Sequence, residues 1–175
     1  MSVNFDKYFT YMAASSAFTP GATPQDVFTI TGNATTNVYV LKMGISTIQT
    51  TEGVNAWYLA KRSTANSGGT PATVTPVPVQ SGNFAAGATV KQYTANPTAG
   101  TLIANLWAGW LNSPKAATAG VGGLQGIELD FESMLGQPIA LLSTAEVLSW
   151  NFNGAALPSG LSVLAWALWA ESSKT

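Results

Sequence analysis

The sequence predicts an all-β protein: a jelly-roll-like β-sandwich with a short N-terminal arm or helix. Runs rich in Val, Ile, Thr and aromatic residues recur along the chain, and clusters of Gly, Pro, Asn and Ser separate them. No long helical pattern lies between these runs, which argues against a βαβ fold. Their spacing is uneven, which is typical of a jelly roll with long crossing connections. The length of 175 residues fits one domain with a substantial core.

Residues 1–20 are predicted to form the N-terminal arm, and residues 21–175 a single β-sandwich domain. In the arm, Phe5, Tyr8, Phe9 and Met12 follow the i, i+3, i+4, i+7 spacing of one helix face. This apolar stripe either packs on the chain's own sandwich or docks on a neighbouring subunit. The arm lacks a basic start followed by a continuous apolar stretch, so we expect no secretory signal. No apolar run is long enough for a transmembrane helix either.

Eight runs of the sandwich domain are predicted to be strands. In chain order they are DVFTITG, TNVYVLKMGISTIQ, NAWYLAKRS, TLIANLWAGWL, GIELDFE, PIALLS, EVLSWNFN and LSVLAWALWAE. The glycine- and proline-rich stretch STANSGGTPATVTPVPVQSGNFAAG is expected to be a long extended connection with at most an edge strand. The stretch NSPKAATAGVGG is expected to be a surface loop.

The last predicted strand is apolar on both of its faces. Leu164, Trp166 and Leu168 alternate along one face, and Trp169 belongs to an equally apolar series on the other. A sandwich buries only one face of each strand, and leaving a large apolar side chain exposed forfeits about 1.5–3 kcal/mol relative to burying it. We therefore expect further copies of the chain to cover the second face.

The positions of the tryptophans also indicate apolar side chains on both faces of a strand. Trp107 and Trp110 lie three residues apart, as do Trp166 and Trp169, so each pair points to opposite faces of its strand. One member can join the core, and the other meets a loop, another subunit or a sugar ring. The predicted subunit or partner interface comprises Phe5, Tyr8, Phe9, Met12, Trp107, Trp110, Leu164, Trp166, Leu168 and Trp169.

The composition excludes most familiar catalytic and cofactor sites. The chain has no Cys and no His, which rules out disulfides, thiolate metal sites, a Ser-His-Asp triad and a cysteine nucleophile. Charged residues make up only 9% of the chain, the net charge is −1, and Arg62 is the only arginine. A basic patch for nucleic acid or for an anionic membrane is therefore not expected. We expect no cofactor and no bound metal, and the protein is predicted not to be an enzyme.

The densest acidic cluster is Glu128, Asp130 and Glu132, which alternate with apolar residues. On a strand, this spacing puts all three carboxylates on one face. They form a solvated outer face, or contact a cation or a lysine, since carboxylate oxygens are ligands that calcium prefers. A glycosidase pair is the third alternative, but it requires two carboxylates across a cleft.

Two further motifs have simple structural interpretations. Lys61 and Arg62 point to opposite faces of a strand and are expected to be solvated or salt-bridged. The stretch GVGGLQG lacks the spacing of a phosphate-binding loop.

Three stretches together resemble small jelly-roll virion proteins of tailed bacteriophages, which decorate or cement capsids, often as trimers. They are GVNAWYLAKRSTANSGGT, LNSPKAATAGVGG and WNFNGAALPSGLSVLAWALWAE. The resemblance spans about Thr36 to Glu171 and is one of overall character. These virion proteins have no catalytic motif, so no residue role is carried over.

The resemblance implies a structural protein of the virion. Such a subunit would form a homotrimer through its closing strand and tryptophan-bearing faces, and would bind the lattice of the major capsid protein. It would be made in the host cytoplasm and lie on the capsid exterior, with neither nucleic acid nor membrane as a partner. One alternative is the receptor- or glycan-binding head of a phage fibre or tail protein, with the loops STANSGGTP and NSPKAATAGVGG carrying recognition. The other is a carboxylate enzyme built on Glu128, Asp130 and Glu132.

Overall fold

The computed structural model is a sandwich of two antiparallel β-sheets. It describes residues 8–51, 53–113, 125–157 and 160–174. The predicted all-β sandwich is confirmed.

The described residues form twelve strands and one short helix. They are β1 (Phe9–Ala14), β2 (Asp26–Thr31), β3 (Thr36–Ile48), β4 (Gly53–Arg62), β5 (Thr70–Thr73), β6 (Val77–Pro78), β7 (Thr89–Ala95), β8 (Leu102–Ser113), β9 (Gln125–Asp130), α1 (Phe131–Leu135), β10 (Ile139–Leu141), β11 (Val147–Asn151) and β12 (Ser162–Ser173).

The strands are divided equally between two sheets. Sheet A has the order β10-β3-β12-β1-β6, and β9 pairs with β3 beside β10. Sheet B has the order β5-β7-β2-β11-β4-β8. The chain crosses from one sheet to the other at most of its connections, so each sheet is assembled from strands that are distant in sequence. Such crossings are what the uneven spacing of the predicted strands indicated.

The core lies between the two sheets and is rich in aromatic side chains. Sheet A contributes Tyr11 and Trp169, whose rings stack at 5.9 Å between centroids. Sheet B contributes Trp57 and Trp150, which meet edge to face at 5.0 Å. Aromatic residues bury about 150–250 Å² each, so these four side chains supply a large share of the apolar surface that holds the sheets together.

All eight predicted runs form strands, and the structure adds four more: β1, β5, β6 and β7. The proline-rich connection contains two short edge strands where at most one is predicted, β5 at an edge of sheet B and β6 at an edge of sheet A. Strand β7 was not predicted, because its sequence TVKQYTA is polar at most positions and lacks the apolar alternation of a half-buried strand. Its Val90 still packs in the core, with Gln92 also buried.

The helical prediction for the N-terminal segment is wrong where the structure describes it. Phe9 and Met12 lie in β1, which pairs antiparallel with β12 between Phe9↔Glu171 and Ala14↔Trp166. A helix this short is marginal by itself, whereas pairing with β12 satisfies the backbone and buries Tyr11 and Ala13 on the inner face. The segment therefore adopts the strand conformation that buries Tyr11 and Ala13, and not the helix that the spacing of Phe9 and Met12 predicts.

The helix α1 was not predicted from the sequence. Asp130 caps its N-terminus, accepting a hydrogen bond from the Ser133 amide at 3.1 Å, and Gly136 ends it in the left-handed conformation at φ 69°. Among the described residues, no helix is long and apolar enough to span a bilayer.

Candidate functional site: interaction surfaces of the two sheets

The outer face of sheet A carries an apolar surface that we call the A-face patch. Cross-strand register aligns Val77, Met12 and Leu168 in one row and Ala14 and Trp166 in the next, and directly opposed residues share a face. The patch comprises Met12, Ile48, Val77, Leu164, Trp166 and Leu168.

Trp166 lies over a glycine at the centre of the patch. It is paired across the strands with Gly44 of β3, and a Cβ at residue 44 would overlap the indole ring. Glycine at this position therefore allows the ring to lie close against the backbone of β3. Trp166 is half-buried as a result.

The patch remains open in the chain itself. Leu164 is 48% exposed, Val77 is 54% exposed and Ile48 is 37% exposed, while Met12, Trp166 and Leu168 are half-buried. Scattered exposed apolar residues are normal, but contiguous ones on a sheet face mark interaction sites. The second apolar face of β12 is thus only partly covered by the described residues.

Trp169 does not belong to this surface, and its assignment to an interface needs correction. Its side chain is 0% exposed and points into the core, where it stacks on Tyr11. The Trp169 Nε1 donates a hydrogen bond to Glu171 Oε1 at 2.8 Å. Of the two tryptophans in β12, only Trp166 is accessible to a partner.

The aromatic residues of the N-terminal segment pack along the sandwich. Tyr8 meets Tyr39 edge to face at 5.6 Å, and Phe9 meets Phe84 in the same way at 5.7 Å. Phe9 is 40% exposed, so part of its ring is available to a partner. Phe5, the first residue of the predicted stripe, lies outside the described residues.

Trp107 and Trp110 of β8 point to opposite faces, as predicted. Trp107 is half-buried, packs on the core and approaches Phe131 at 6.5 Å. Trp110 lies on the outer face of sheet B and is 73% exposed. The outer face of each sheet therefore presents one accessible tryptophan, Trp166 on sheet A and Trp110 on sheet B.

The acidic cluster is partly neutralised within the chain, at the edge of the A-face patch. Glu128 and Asp130 lie on β9, and Lys42 of β3 forms ion pairs with them at 3.4 and 2.8 Å. Glu132 is part of α1, so the prediction of three carboxylates on one strand face is wrong for this residue. The strand ends at Asp130 because that side chain caps the helix.

These ion pairs shift the pKa values of both partners. Hydrogen bonds to Asp130 and Glu128 raise the pKa of Lys42, and the hydrogen bond from Lys42 lowers the pKa of Asp130. The lysine contact, one of the alternatives for this cluster, is therefore present. Within the described ranges, no group of three or more Asp or Glu side chains could hold a metal ion.

Arg62 is salt-bridged, one of the two states expected for it, but the sequence did not indicate that the ion pair is buried on the outer side of sheet B or that Asp26 is the partner. The Arg62 Nε and Nη2 donate to both carboxylate oxygens of Asp26, each at 2.7 Å. Asn66 and Asn151 donate to the same carboxylate, also at 2.7 Å. Lys61 points the other way, as predicted, and its Nζ donates to the Ala140 carbonyl at 3.0 Å. The ion pair thus links β2 to β4 within sheet B, and the arginine is not available to a partner.

The stability of the fold should depend on the ionisation of Asp26. Burial opposes that ionisation, but the hydrogen bonds from Arg62, Asn151 and Asn66 and the charge of Arg62 outweigh it, so the pKa of Asp26 is lowered. Since an unfolded Asp titrates near 3.9, the pair stabilises the fold above about that pH, and this contribution is lost as the pH falls through the lower folded pKa. The free energy of unfolding, measured with urea, should therefore fall more steeply with decreasing pH in the natural chain than in Asp26→Asn. Equal losses in both proteins would contradict this.

The loop after β4 forms one wall of a polar cavity. Asn66 in this loop accepts a hydrogen bond from the Gly100 amide at 2.9 Å, in addition to its bond to Asp26. A cavity of about 250 Å³ opens between the loop and β7. Its lining includes Thr29, Thr31, Asn66, Thr89, Lys91 and Tyr93. Among the described residues, Lys91 has no ion-pair partner.

Comparison of the chain with protein-family models, with curated protein sequences and with solved structures found no match.

Proposed function

We propose that the chain is a non-enzymatic structural protein of a phage virion, of the capsid decoration or cement type. In this role it oligomerises, as a trimer, and binds the lattice of the major capsid protein on the outside of the shell. The single observation that carries the proposal is the A-face patch, which is contiguous and apolar. A protein with such a surface is suited to associating with other subunits.

The charge distribution around the patch supports a role in assembly. Lys42, Glu128 and Asp130 lie at one margin of the outer face, beside the apolar rows. An apolar centre with a polar rim is the common arrangement of protein interfaces. The low charge of the whole chain also leaves little repulsion between copies. Repeating a modest contact around a symmetry axis gives stable attachment to a lattice.

Replacement of the central tryptophan tests the self-association. Trp166→Ser should reduce the mass of the purified protein in light scattering to that of fewer chains, because it removes the largest side chain of the A-face patch. Leu142→Ser is the matched control: Leu142 is 51% exposed but follows β10 outside the patch, so the mass should be unchanged. A Trp166→Ser protein that folds and retains the natural mass would contradict the proposed interface.

Attachment to the shell is tested by co-sedimentation. The natural protein should pellet with assembled shells of the major capsid protein of the same phage and remain in solution without them. A ligand that binds only the assembled lattice stabilises that state, so the shells should also resist heat better when decorated. Failure to bind shells from any state of maturation would contradict the capsid role.

The second candidate is the glycan- or receptor-binding head of a fibre or tail protein. The exposed Trp110 favours it, since sugars stack on exposed tryptophan rings, and the polar cavity beside Lys91 offers hydroxyl and ammonium donors. Binding to glycans that is lost in Trp110→Ala, with no affinity for shells, would support this candidate over the first.

A further inference from the structure

The edges of the two sheets differ in how they are protected against pairing with another chain. Strand β6 has two residues and contains Pro78, β5 has four and contains Pro71, and β10 has three. Strand β9 carries Glu128 and Asp130. Short length, proline and charge are the common means by which proteins prevent edge strands from recruiting a further strand.

Strand β8 lacks these three protections. Its register with β4 shifts in the first half, at Ile103 and Leu106, and Trp107–Ser113 pairs without interruption. The strand forms one edge of sheet B, runs for twelve residues and contains neither proline nor a charged side chain. In the part of the chain that the structure describes, β4 is the only strand that pairs with it, and at its end Gln49 Nε2 donates to the Ser113 carbonyl at 3.0 Å. Leu102 and Ile103 are 48% and 52% exposed. A long, uncharged, apolar edge offers a row of backbone donors and acceptors to an incoming strand.

We propose that β8 pairs antiparallel with β8 of a second copy of the chain, around a two-fold axis. A strand without charge is complementary to itself, because pairing two copies brings no like charges together. Two-fold contacts use the same surface on both partners, and β8 supplies both the backbone groups and the apolar side chains. The pairing would join the two B sheets into one continuous sheet.

This contact is separate from the trimer contact of the proposed function and does not depend on it. The A-face patch lies on the outer face of sheet A, whereas β8 is an edge of sheet B. Both contacts can therefore be made at once. A two-fold and a three-fold contact together give six chains, the two-fold contact alone gives two, and the three-fold contact alone gives three.

A pair of matched substitutions tests the proposal. Ala108 lies near the middle of β8, and Ala72 lies in β5 at the opposite edge of the same sheet; both are exposed. A two-fold axis through the middle of β8 would bring the two copies of residue 108 close together. Ala108→Lys should therefore halve the mass measured by light scattering, because it opposes two ammonium groups at the contact. Ala72→Lys adds the same charge and should leave the mass unchanged.

The measured masses distinguish this proposal from the trimer proposal. A natural protein of six chains that Ala108→Lys reduces to three, or of two chains that it reduces to one, supports β8 pairing. A monomer, or a trimer that Ala108→Lys leaves intact, overturns it. Thermal unfolding of both lysine variants checks that Ala108→Lys acts on association and not on folding.

Single cysteines give an independent test, because the natural chain contains none. Asn105, Ala108 and Asn112 are exposed positions along β8. A disulfide needs Cβ atoms about 3.5–4.5 Å apart, so the cysteine nearest the two-fold axis should cross-link two copies under mild oxidation. Cross-linking at one β8 position, and not at Ala72→Cys, supports the pairing. No cross-linking at any of the three positions contradicts it.

Discussion

Asp26→Asn should lower the free energy of unfolding by about 3–5 kcal/mol, because it leaves the Arg62 guanidinium buried without its charge partner. Arg62 is only 6% exposed and Asp26 is 1% exposed. Of its remaining acceptors, Arg62 retains the Gly100 carbonyl, to which Nη1 donates at 3.0 Å. Chemical unfolding monitored by tryptophan fluorescence measures the loss.

Asp130→Asn is the matched control for this prediction. Asp130 also forms an ion pair, with Lys42, but on the exposed outer face of sheet A. Exposed ion pairs contribute little to stability, and asparagine is as good a helix cap as aspartate. The free energy of unfolding should therefore change far less than in Asp26→Asn. Similar losses in the two variants would show that burial does not govern the strength of the Asp26 pair.

Trp169→Ala should also cost about 3–5 kcal/mol of stability, the usual range for removing a buried tryptophan. The side chain is fully buried and stacks on Tyr11. Its loss also removes a hydrogen-bond donor from Glu171, a buried carboxylate that accepts from the Ala88 amide at 2.9 Å and thereby links sheet A to the start of β7 in sheet B. The substitution thus opens a cavity and weakens a contact between the sheets.

Trp166→Ala is the comparison that separates packing from association. Trp166 lies in the same strand, three residues away, but on the outer face. Only part of its surface is buried, so its removal should cost about 1 kcal/mol. The two variants should therefore affect different quantities. Trp169→Ala should lower the unfolding midpoint, and Trp166→Ala should lower the mass in dilute solution. A large loss of stability in Trp166→Ala would contradict this division.

Much of the fold could be predicted from the sequence, because most strands alternate in side-chain polarity or are rich in β-branched and aromatic residues. The exceptions have physical reasons. Strand β7 was not recognised because its inner face carries the polar Gln92 beside Val90, and its outer face carries Thr89 and Lys91, which line the polar cavity. The sequence of β1 predicts a helix because Phe9 and Met12 fit a period of 3.6 residues as well as the buried residues Tyr11 and Ala13 fit a period of two. The strand conformation prevails because β1 pairs with the edge of β12 that β3 does not occupy.

The candidate surfaces could be predicted only in part. Residue spacing shows that Trp166 and Trp169 point to opposite faces, but which one faces the core depends on the position of sheet B. Val77 and Ile48 join the A-face patch through strand register, which the sequence does not specify. The same is true of Asp26 and Arg62, which are 36 residues apart and meet only because β11 lies between β2 and β4.

The pairing of β1 with β12 also bears on how the protein is made. The first strand of the chain lies next to the last one, with Phe9 opposite Glu171. Sheet A therefore cannot be completed until nearly all of the described chain has left the ribosome, and Tyr11 must wait for Trp169 before it is buried. Folding dominated by such distant contacts is slow, and strand edges are exposed meanwhile. Synthesis alongside other copies brings the risk of premature pairing, which a chain with few charges has little means to oppose.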